Sequence, residues 1–234
     1  MAVDLRGVRT VLLPGTGSDD DYVRRAFGPA LRAVGAVAIT PATVPHRLID
    51  AYRQALDEAA EAGPIAVGGV SLGAAVAVAW ALEHPGRTVA VLAALPAWSG
   101  DPREAPAAAM AQLSAQQLRS DGLAAATARM QQSSPGWLAA ELARSWAGQW
   151  PDLPDAMEQA ARYIAPTASE LTALRPPLGV ASAADDPVHP LEIGAEWVAA
   201  APRAALRTVT LAQFGADPGA LGAACLAALD DVAD

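Results

Sequence analysis

The pentapeptide at residues 69–73 reads Gly-Val-Ser-Leu-Gly, and it constrains the fold more than any other feature of the chain. An apolar run at residues 64–68 precedes it, and an alanine-rich, helix-forming run at residues 74–80 follows it. A strand, a serine between two glycines and a helix predict a nucleophile elbow, a strained turn that presents the serine hydroxyl above the edge of a sheet. We expect the glycines to be required because strand and helix pass closely there. Ser71 is therefore the candidate nucleophile.

A second loop near the N-terminus fits the same plan. The strand predicted at residues 8–13 ends in Pro-Gly-Thr-Gly-Ser at residues 14–18. Together with the order of elements, these residues make the chain resemble the α/β-hydrolase superfamily. In that family, the loop after an early core strand supplies one backbone amide to the oxyanion, and the residue after the nucleophile supplies the other. The resemblance therefore implies an oxyanion hole formed by the amides of Thr16 and Leu72.

The candidate acid follows a later strand. An apolar pattern at residues 177–182 precedes Asp185 and Asp186, and Pro-Val-His-Pro at residues 187–190 predicts a turn after them. This segment is similar to the one that carries the triad carboxylate in the family. The resemblance assigns that role to Asp186, which lies directly before the proline. In the alternative interpretation both aspartates only cap the loop, a role for which Asp185 is the better candidate.

The general base is where the chain departs from the family pattern. The family has a histidine after the last strand, which is predicted here at residues 206–211, but Ala216 stands at the corresponding position of the following loop. None of the three histidines lies beyond residue 189. A serine hydroxyl without a base is a weak nucleophile at neutral pH. We expect Ala216 to lie beside Ser71 and Asp186, so that a histidine there would complete a triad.

Three other groups are candidate bases. His189 lies three residues beyond Asp186, on the same side of the predicted sheet as the serine, but the short loop that it shares with the acid argues against its insertion between the two. We therefore favour the interpretation that the position of the general base, Ala216, lacks a histidine and that no other residue replaces it, with His189 as the first alternative base. His46 follows a strand-like run and precedes a helix, and Asp217 adjoins the vacant position as a weak carboxylate base.

Other polar motifs are interpreted as structural. The three aspartates at residues 19–21 suggest a metal site, because hard cations bind clustered oxygens. Consecutive side chains point in different directions, however, so we predict an acidic helix N-terminus and no metal. His84 is interpreted as the end of the helix that follows the serine. The dinucleotide-binding and Walker-type phosphate motifs are both incomplete, so no cofactor is expected.

The composition restricts the class of protein. A chain of 234 residues with 53% hydrophobic residues can bury one sizeable core. A formal net charge of −9 disfavours binding to nucleic acids or anionic membranes. The single cysteine, Cys225, excludes an intramolecular disulfide, and the chain has neither a signal-like N-terminus nor an apolar run of membrane-spanning length. We expect a cytoplasmic protein with a small-molecule substrate, and the oligomeric state stays open.

The predicted elements divide the chain into two parts. Strands alternate with helices at residues 1–100 and 176–234, which predicts an α/β core with an open, mainly parallel sheet of the α/β-hydrolase type. Residues 101–175 contain alanine-rich helical stretches, such as residues 107–118, 124–131 and 137–146, and no convincing strand. The resemblance implies that they form an inserted helical cap. Its tryptophans and methionines could give the cap an apolar underside, although at helical spacing such residues more often belong to a core.

Two classes of function remain open. The first is acyl transfer on a small hydrophobic ester or thioester, in which Ser71 attacks a carbonyl and the amides of Thr16 and Leu72 hold the oxyanion. Its catalytic residues would be Ser71, Asp186 and His189, in an atypical or incomplete triad. The second is a non-hydrolytic protein of the same fold, either a ligand-binding protein or a cofactor-independent lyase or cyclase. The missing C-terminal histidine motivates this second class, because a broken triad loses most of its rate.

Overall fold

Residues 3–232, the part of the chain that the computed structural model describes, contain six strands, ten α-helices and two single-turn 3-10 helices. The strands are β1 (Arg9–Leu13), β2 (Val37–Ile39), β3 (Ile65–Val70), β4 (Thr88–Ala94), β5 (Leu178–Ala183) and β6 (Ala204–Val209). The helices are α1 (Asp20–Ala33), α2 (Leu48–Ala60), α3 (Leu72–Glu83), α4 (Pro106–Ser133), α5 (Gly136–Gln149), α6 (Leu153–Ala161), α7 (Ala168–Leu171), α8 (Leu191–Ala200), α9 (Leu211–Ala216) and α10 (Gly219–Asp230).

The strands form one sheet in the order β2-β1-β3-β4-β5-β6. All five pairings are parallel, which confirms the expected open, mainly parallel sheet. The carboxyl ends of parallel strands lie at one edge, so the loops after β1, β3 and β5 all open on the same side. The strand order reverses between β1 and β3. Ligands of open α/β sheets bind at such a switch point, outside the carboxyl ends of the strands.

Helices cover both faces of the sheet. Apolar side chains of α2, α3 and α8 pack on one face, and those of α1 and α10 pack on the other. All six residues of β3 are buried, as a central parallel strand requires. Helix α3 is apolar on every side and is also almost entirely buried. The strand and the helix that flank Ser71 are therefore held within the hydrophobic core.

The segment between β4 and β5 contains helices α4 to α7 and no strand. Helix α4 is interrupted at Gly122, whose φ of 78° is not helical, between the two helical stretches that the sequence predicts at residues 107–118 and 124–131. Pro154 lies in the first turn of α6, where the missing N–H is tolerated. Within residues 3–232, none of the helices combines the length and apolar character that crossing a membrane needs.

The region after the last strand differs from the sequence prediction. Strand β6 begins and ends two residues earlier than the predicted strand at residues 206–211, and a short helix, α9, occupies most of the expected loop. Thr210 and Gln213 form a reciprocal capping box at the start of α9. Because such a box satisfies free amides at a helix N-terminus, it converts the end of an apparent strand into a helix start.

Candidate active site

Ser71 lies in a strained turn between β3 and α3. Its backbone has φ 54° and ψ −116°, and only 7% of the residue is exposed. A non-glycine residue in such a conformation costs about 1–3 kcal/mol, and strain of this kind clusters at functional sites. A Cβ atom at either Gly69 or Gly73 would overlap the carbonyl oxygen of Leu13. The close approach of strand and helix therefore explains why glycines flank the serine.

His189 forms hydrogen bonds with both other candidate catalytic side chains. Its Nδ1 lies 2.7 Å from Asp186 Oδ2, and its Nε2 lies 3.0 Å from Ser71 Oγ. Within residues 3–232, His189 is the only hydrogen-bond partner of the Ser71 hydroxyl. A base in contact with a serine, oriented by a buried carboxylate, is the arrangement that Ser-His-Asp catalysis uses.

The conformation of the loop after β5 brings His189 next to Asp186 and Ser71. The Val188 amide donates a hydrogen bond to Asp186 Oδ1 at 2.8 Å, which forms an Asx turn. The turn reverses the chain, so that the histidine returns above the aspartate before α8 begins at Leu191. The expectation that a short shared loop keeps His189 from lying between acid and serine is therefore wrong.

The electrostatics of Asp186 favour its charged form. Burial alone would raise the pKa of this carboxyl group, but the hydrogen bond and charge of His189, together with the amides of Val188 and His189, outweigh burial and hold the pKa below its ordinary value. The side chain of Asp186 is only 8% exposed, and that of His189 is 17% exposed. A carboxylate that stays ionised at neutral pH can stabilise the imidazolium that forms when His189 accepts a proton.

The position expected to be vacant lies in a helix rather than in an open loop. Ala216 is the exposed last residue of α9. A Cβ atom at Gly215 would collide with the indole of Trp137 in α5, and Phe214 meets that indole edge-on with the ring centroids 5.3 Å apart. The chain after β6 is thus used to pack against α5. No hydrogen bond joins Ala216 or Asp217 to Ser71 or His189 in the described chain.

The other candidate bases have separate local roles. Asp217 Oδ1 accepts a hydrogen bond from the Gly219 amide at 2.9 Å, at the start of α10. The side chain of His46 is 58% exposed and lies 3.8 Å from Asp152. His84 is the C-cap of α3, as interpreted from the sequence, and its Nδ1 lies 2.9 Å from the carbonyl oxygen of Trp80.

Asp185 and the acidic run have structural partners. Asp185 Oδ1 accepts the Leu211 amide at 2.8 Å, which is the loop-capping role considered for it. The carboxylates of Asp19, Asp21 and Glu141 lie close enough to share a metal ion, but Arg25 and Arg144 form ion pairs among them. Asp19 is the N-cap of α1, and its side chain accepts the Tyr22 amide at 3.1 Å. These acids therefore form an ion-pair network at the start of α1.

The two segments expected to supply the oxyanion amides both adjoin Ser71. Leu72 is the first residue of α3, so its N–H belongs to the helix terminus, where amides have no partner within the helix. A Cβ atom at Gly15 would lie 3.5 Å from Ser71 Cβ. Three covalent bonds would join a Cβ atom at Gly15 to the backbone nitrogen of Thr16. The Thr16 nitrogen therefore lies within about 7 Å of Ser71 Cβ. The loop after β1 is therefore adjacent to the serine turn.

Leu95 is a site feature that sequence reasoning missed. It follows β4 with φ 52° and is, with Ser71, one of two non-glycine residues at positive φ among residues 3–232. Its amide donates to the carbonyl oxygen of Ala181 at 2.7 Å, and the Ser71 amide donates to that of Ala94 at 2.9 Å. Through β4, these hydrogen bonds link the serine turn to β5, the strand before the loop that holds Asp186. A leucine gives no sequence signal of positive φ.

Two open clefts on the surface, each of about 530 Å³, do not include the active-site candidates. One cleft lies between α6 and the turn at Pro45–Arg47, and the other lies at the opposite, amino end of the strands. Neither is lined by Ser71, His189 or Asp186.

Solved structures identify the architecture. A hydrolase from Oleispira antarctica is similar with a TM-score of 0.69 and 15% identity, over 88% of this chain and 84% of that one. The fold is that of the α/β hydrolases. A carboxylesterase of Nitrososphaera gargenis gives a TM-score of 0.69 with 17% identity, over 89% and 83% of the two chains. The enol-lactonase of Burkholderia xenovorans LB400 gives 0.64 with 19% identity, over 88% and 83%. At the level of sequence, neither a family model nor a curated protein matches.

Proposed function

We propose that this protein is a serine hydrolase that acts by acyl transfer on a small hydrophobic ester or thioester. The observation that carries the proposal is the position of His189, which contacts Ser71 Oγ at 3.0 Å and Asp186 Oδ2 at 2.7 Å. The triad is atypical because its acid and base occupy one loop, three residues apart. The α/β-hydrolase architecture, shared with esterases and a lactonase, supports the same reaction class.

In the first half of the reaction, His189 Nε2 removes the proton from Ser71 Oγ as the oxygen attacks the substrate carbonyl carbon. The carbonyl oxygen becomes an oxyanion, which the amides of Leu72 and Thr16 stabilise. Asp186 stabilises the imidazolium of His189. The intermediate then expels the alcohol or thiol, which receives the proton from His189, and the acyl group remains as an ester of Ser71.

Water completes the cycle. His189 Nε2 takes a proton from the water molecule as it attacks the acyl carbon, and a second oxyanion forms at the same two amides. Collapse of this intermediate breaks the bond to Ser71 Oγ, which regains its proton from His189. The products are the free acid and the unchanged enzyme, so one water molecule is consumed for each ester.

We assign residues 101–175 the role of a cap over the serine site. The support is that Trp146 and Met157 press on Gly17, in the loop after β1. Trp146, Met157, Leu118 and Leu153 also form a buried cluster of their own. Part of the apolar surface of the segment therefore packs within the segment, whereas four of its large apolar residues are exposed: Met110, Leu113, Trp150 and Ile164.

Hydrolysis of short-chain nitrophenyl esters and of an acetyl thioester tests the proposal. Ser71→Ala should lower turnover by at least about 10³-fold, because the serine acts as a unit with its base. Ser133→Ala, at the exposed end of α4, is the matched control and should leave turnover unchanged. Equal turnover by wild type and Ser71→Ala would contradict the proposal. A folded wild type with no turnover of any of these substrates would favour the ligand-binding or lyase class.

A further inference from the structure

Two polar residues of α5 hold the loop between β1 and α1, residues 14–19. Arg144 donates two hydrogen bonds to Asp19, from Nη1 to Oδ2 at 2.7 Å and from Nη2 to Oδ1 at 2.9 Å. Gln149 Nε2 donates to the carbonyl oxygen of Ser18 at 3.0 Å. Neither Arg144 nor Gln149 stands out in the sequence, because a polar residue in an alanine-rich helix gives no sign of a partner more than a hundred positions away.

Apolar contacts complete this support at Gly17. The residue has φ 70°, and a Cβ atom there would lie 2.8 Å from Trp146 Nε1 and 3.0 Å from Met157 Cε. Gly15, two positions earlier, lies against the serine turn, where a Cβ atom would be 3.2 Å from the carbonyl oxygen of Val70. The neighbours of Thr16 on both sides are therefore fixed, one by the core and the other by the cap helices.

The charges at Asp19 depend on Arg144. Burial raises the pKa of the Asp19 carboxyl group, but the Arg144 guanidinium and the Tyr22 amide outweigh it and hold the pKa below its ordinary value. The side chain of Asp19 is 17% exposed, whereas that of Arg144 is 46% exposed. An ion pair with one half-exposed partner adds little to global stability. Loss of Arg144 would instead act locally, by leaving a mostly buried carboxylate without its cation.

We propose that Arg144 and Gln149 are positioning residues that hold the Thr16 amide where it stabilises the oxyanion. The inference rests on the proposed function and extends it, since α5 then contributes to the rate as well as covering the site. An oxyanion donor must be placed within about 0.5 Å of its productive position. Removing one such donor lowers kcat by about 10²- to 10³-fold. A donor that is present but less firmly positioned should therefore lower kcat by a smaller factor.

Arg144→Met tests the proposal, with Arg119→Met as the matched control. Arg119 is also about half exposed and also forms ion pairs with more than one carboxylate, with Glu158 at 2.6 Å and Asp155 at 2.7 Å, but it joins α4 to α6 and does not touch the loop after β1. With a nitrophenyl ester, Arg144→Met should lower kcat by about tenfold or more, while KM changes by less than about twofold. Arg119→Met should leave both parameters unchanged. Arg144→Lys, which keeps one charge, should recover part of the loss.

The affinity of an inhibitor distinguishes a positioning role from a purely structural one, because a purely structural role would leave that affinity unchanged. An alkyl boronic acid forms a tetrahedral, negatively charged adduct with an active serine, so its affinity should fall in Arg144→Met by the same factor as kcat. The affinity of the neutral substrate should not fall. Unchanged kcat in Arg144→Met, or an equal loss in Arg119→Met, would overturn the inference. Should Arg144→Met not fold, Gln149→Met is judged by the same criteria.

The two proposals fail in different ways. If wild-type Ser71 reacts with a fluorophosphonate and the protein turns over esters, while Arg144→Met behaves as wild type, only the positioning role is wrong. If wild-type Ser71 does not react, the proposed function itself is wrong.

Discussion

His189 Nε2 lies 3.0 Å from Ser71 Oγ, although the two residues are 118 positions apart in the chain. The serine follows β3 and the histidine follows β5, so one strand, β4, separates their origins in the sheet. The histidine of the α/β-hydrolase pattern follows the last strand, which is β6 here. In the triad proposed here the base lies in the loop of the acid, and the region after β6 packs against α5 through Phe214.

This arrangement predicts opposite outcomes at two positions. His189→Ala should lower ester turnover by about 10²- to 10⁴-fold, the contribution of a positioned general base. Ala216→His should not raise it, because α9 holds residue 216 at an exposed helix end. His84→Ala serves as the histidine control and should retain turnover. A gain of tenfold or more in Ala216→His, with no loss in His189→Ala, would instead restore the hypothesis of a vacant base.

The low pKa of Asp186 predicts a stability change in acid. Because folding lowers the pKa of this carboxyl group below its ordinary value, its contribution to stability is present above about pH 4 and is lost as the pH falls through the folded-state pKa. The difference in free energy of unfolding between wild type and Asp186→Asn should therefore shrink as the pH falls below about pH 4. Urea unfolding at fixed pH measures it. A difference that grows in acid would contradict the direction of the shift.

Two glycine substitutions should change stability in opposite directions. Gly73→Ala places a methyl group onto the carbonyl oxygen of Leu13, and we expect a loss of at least about 1–3 kcal/mol in the free energy of unfolding. Gly148 is exposed in α5, and a Cβ atom there would meet no neighbouring atom within 4 Å, so Gly148→Ala should add about 0.5–1 kcal/mol. Thermal unfolding compares the two variants directly. A tolerated Gly73→Ala would show that strand and helix pack less tightly at the serine turn than these contacts indicate.

Local signals explain how much of the fold could be predicted from the sequence. The strand and helix around Ser71 follow from an apolar run, two glycines and an alanine-rich run, all contiguous in the chain. The Gly122 break in α4 likewise falls between two predicted helical stretches. The helix α9 was not predicted, because its capping box between Thr210 and Gln213 resembles the end of a strand followed by a glycine-containing loop.

The candidate site was predictable where it depends on strand ends and unpredictable where it depends on loop conformation. Ser71 and Asp186 follow closely after strands, so the parallel sheet places both at one edge. The direction of His189 depends on the Asx turn between Asp186 and Val188, which apolar patterns do not reveal. The contact of Arg144 with Asp19 spans 125 positions and depends on how α5 packs over the core.

The central claim is that Ser71 is a nucleophile activated by His189, and labelling with a fluorophosphonate tests it most directly. The probe reacts with an activated serine, and peptide mapping by mass spectrometry locates the adduct. We expect one adduct on wild-type protein, at Ser71, and a labelling rate at least about 100-fold lower in His189→Ala. No adduct at Ser71 in the folded wild type, or equally fast labelling of His189→Ala, would contradict the claim.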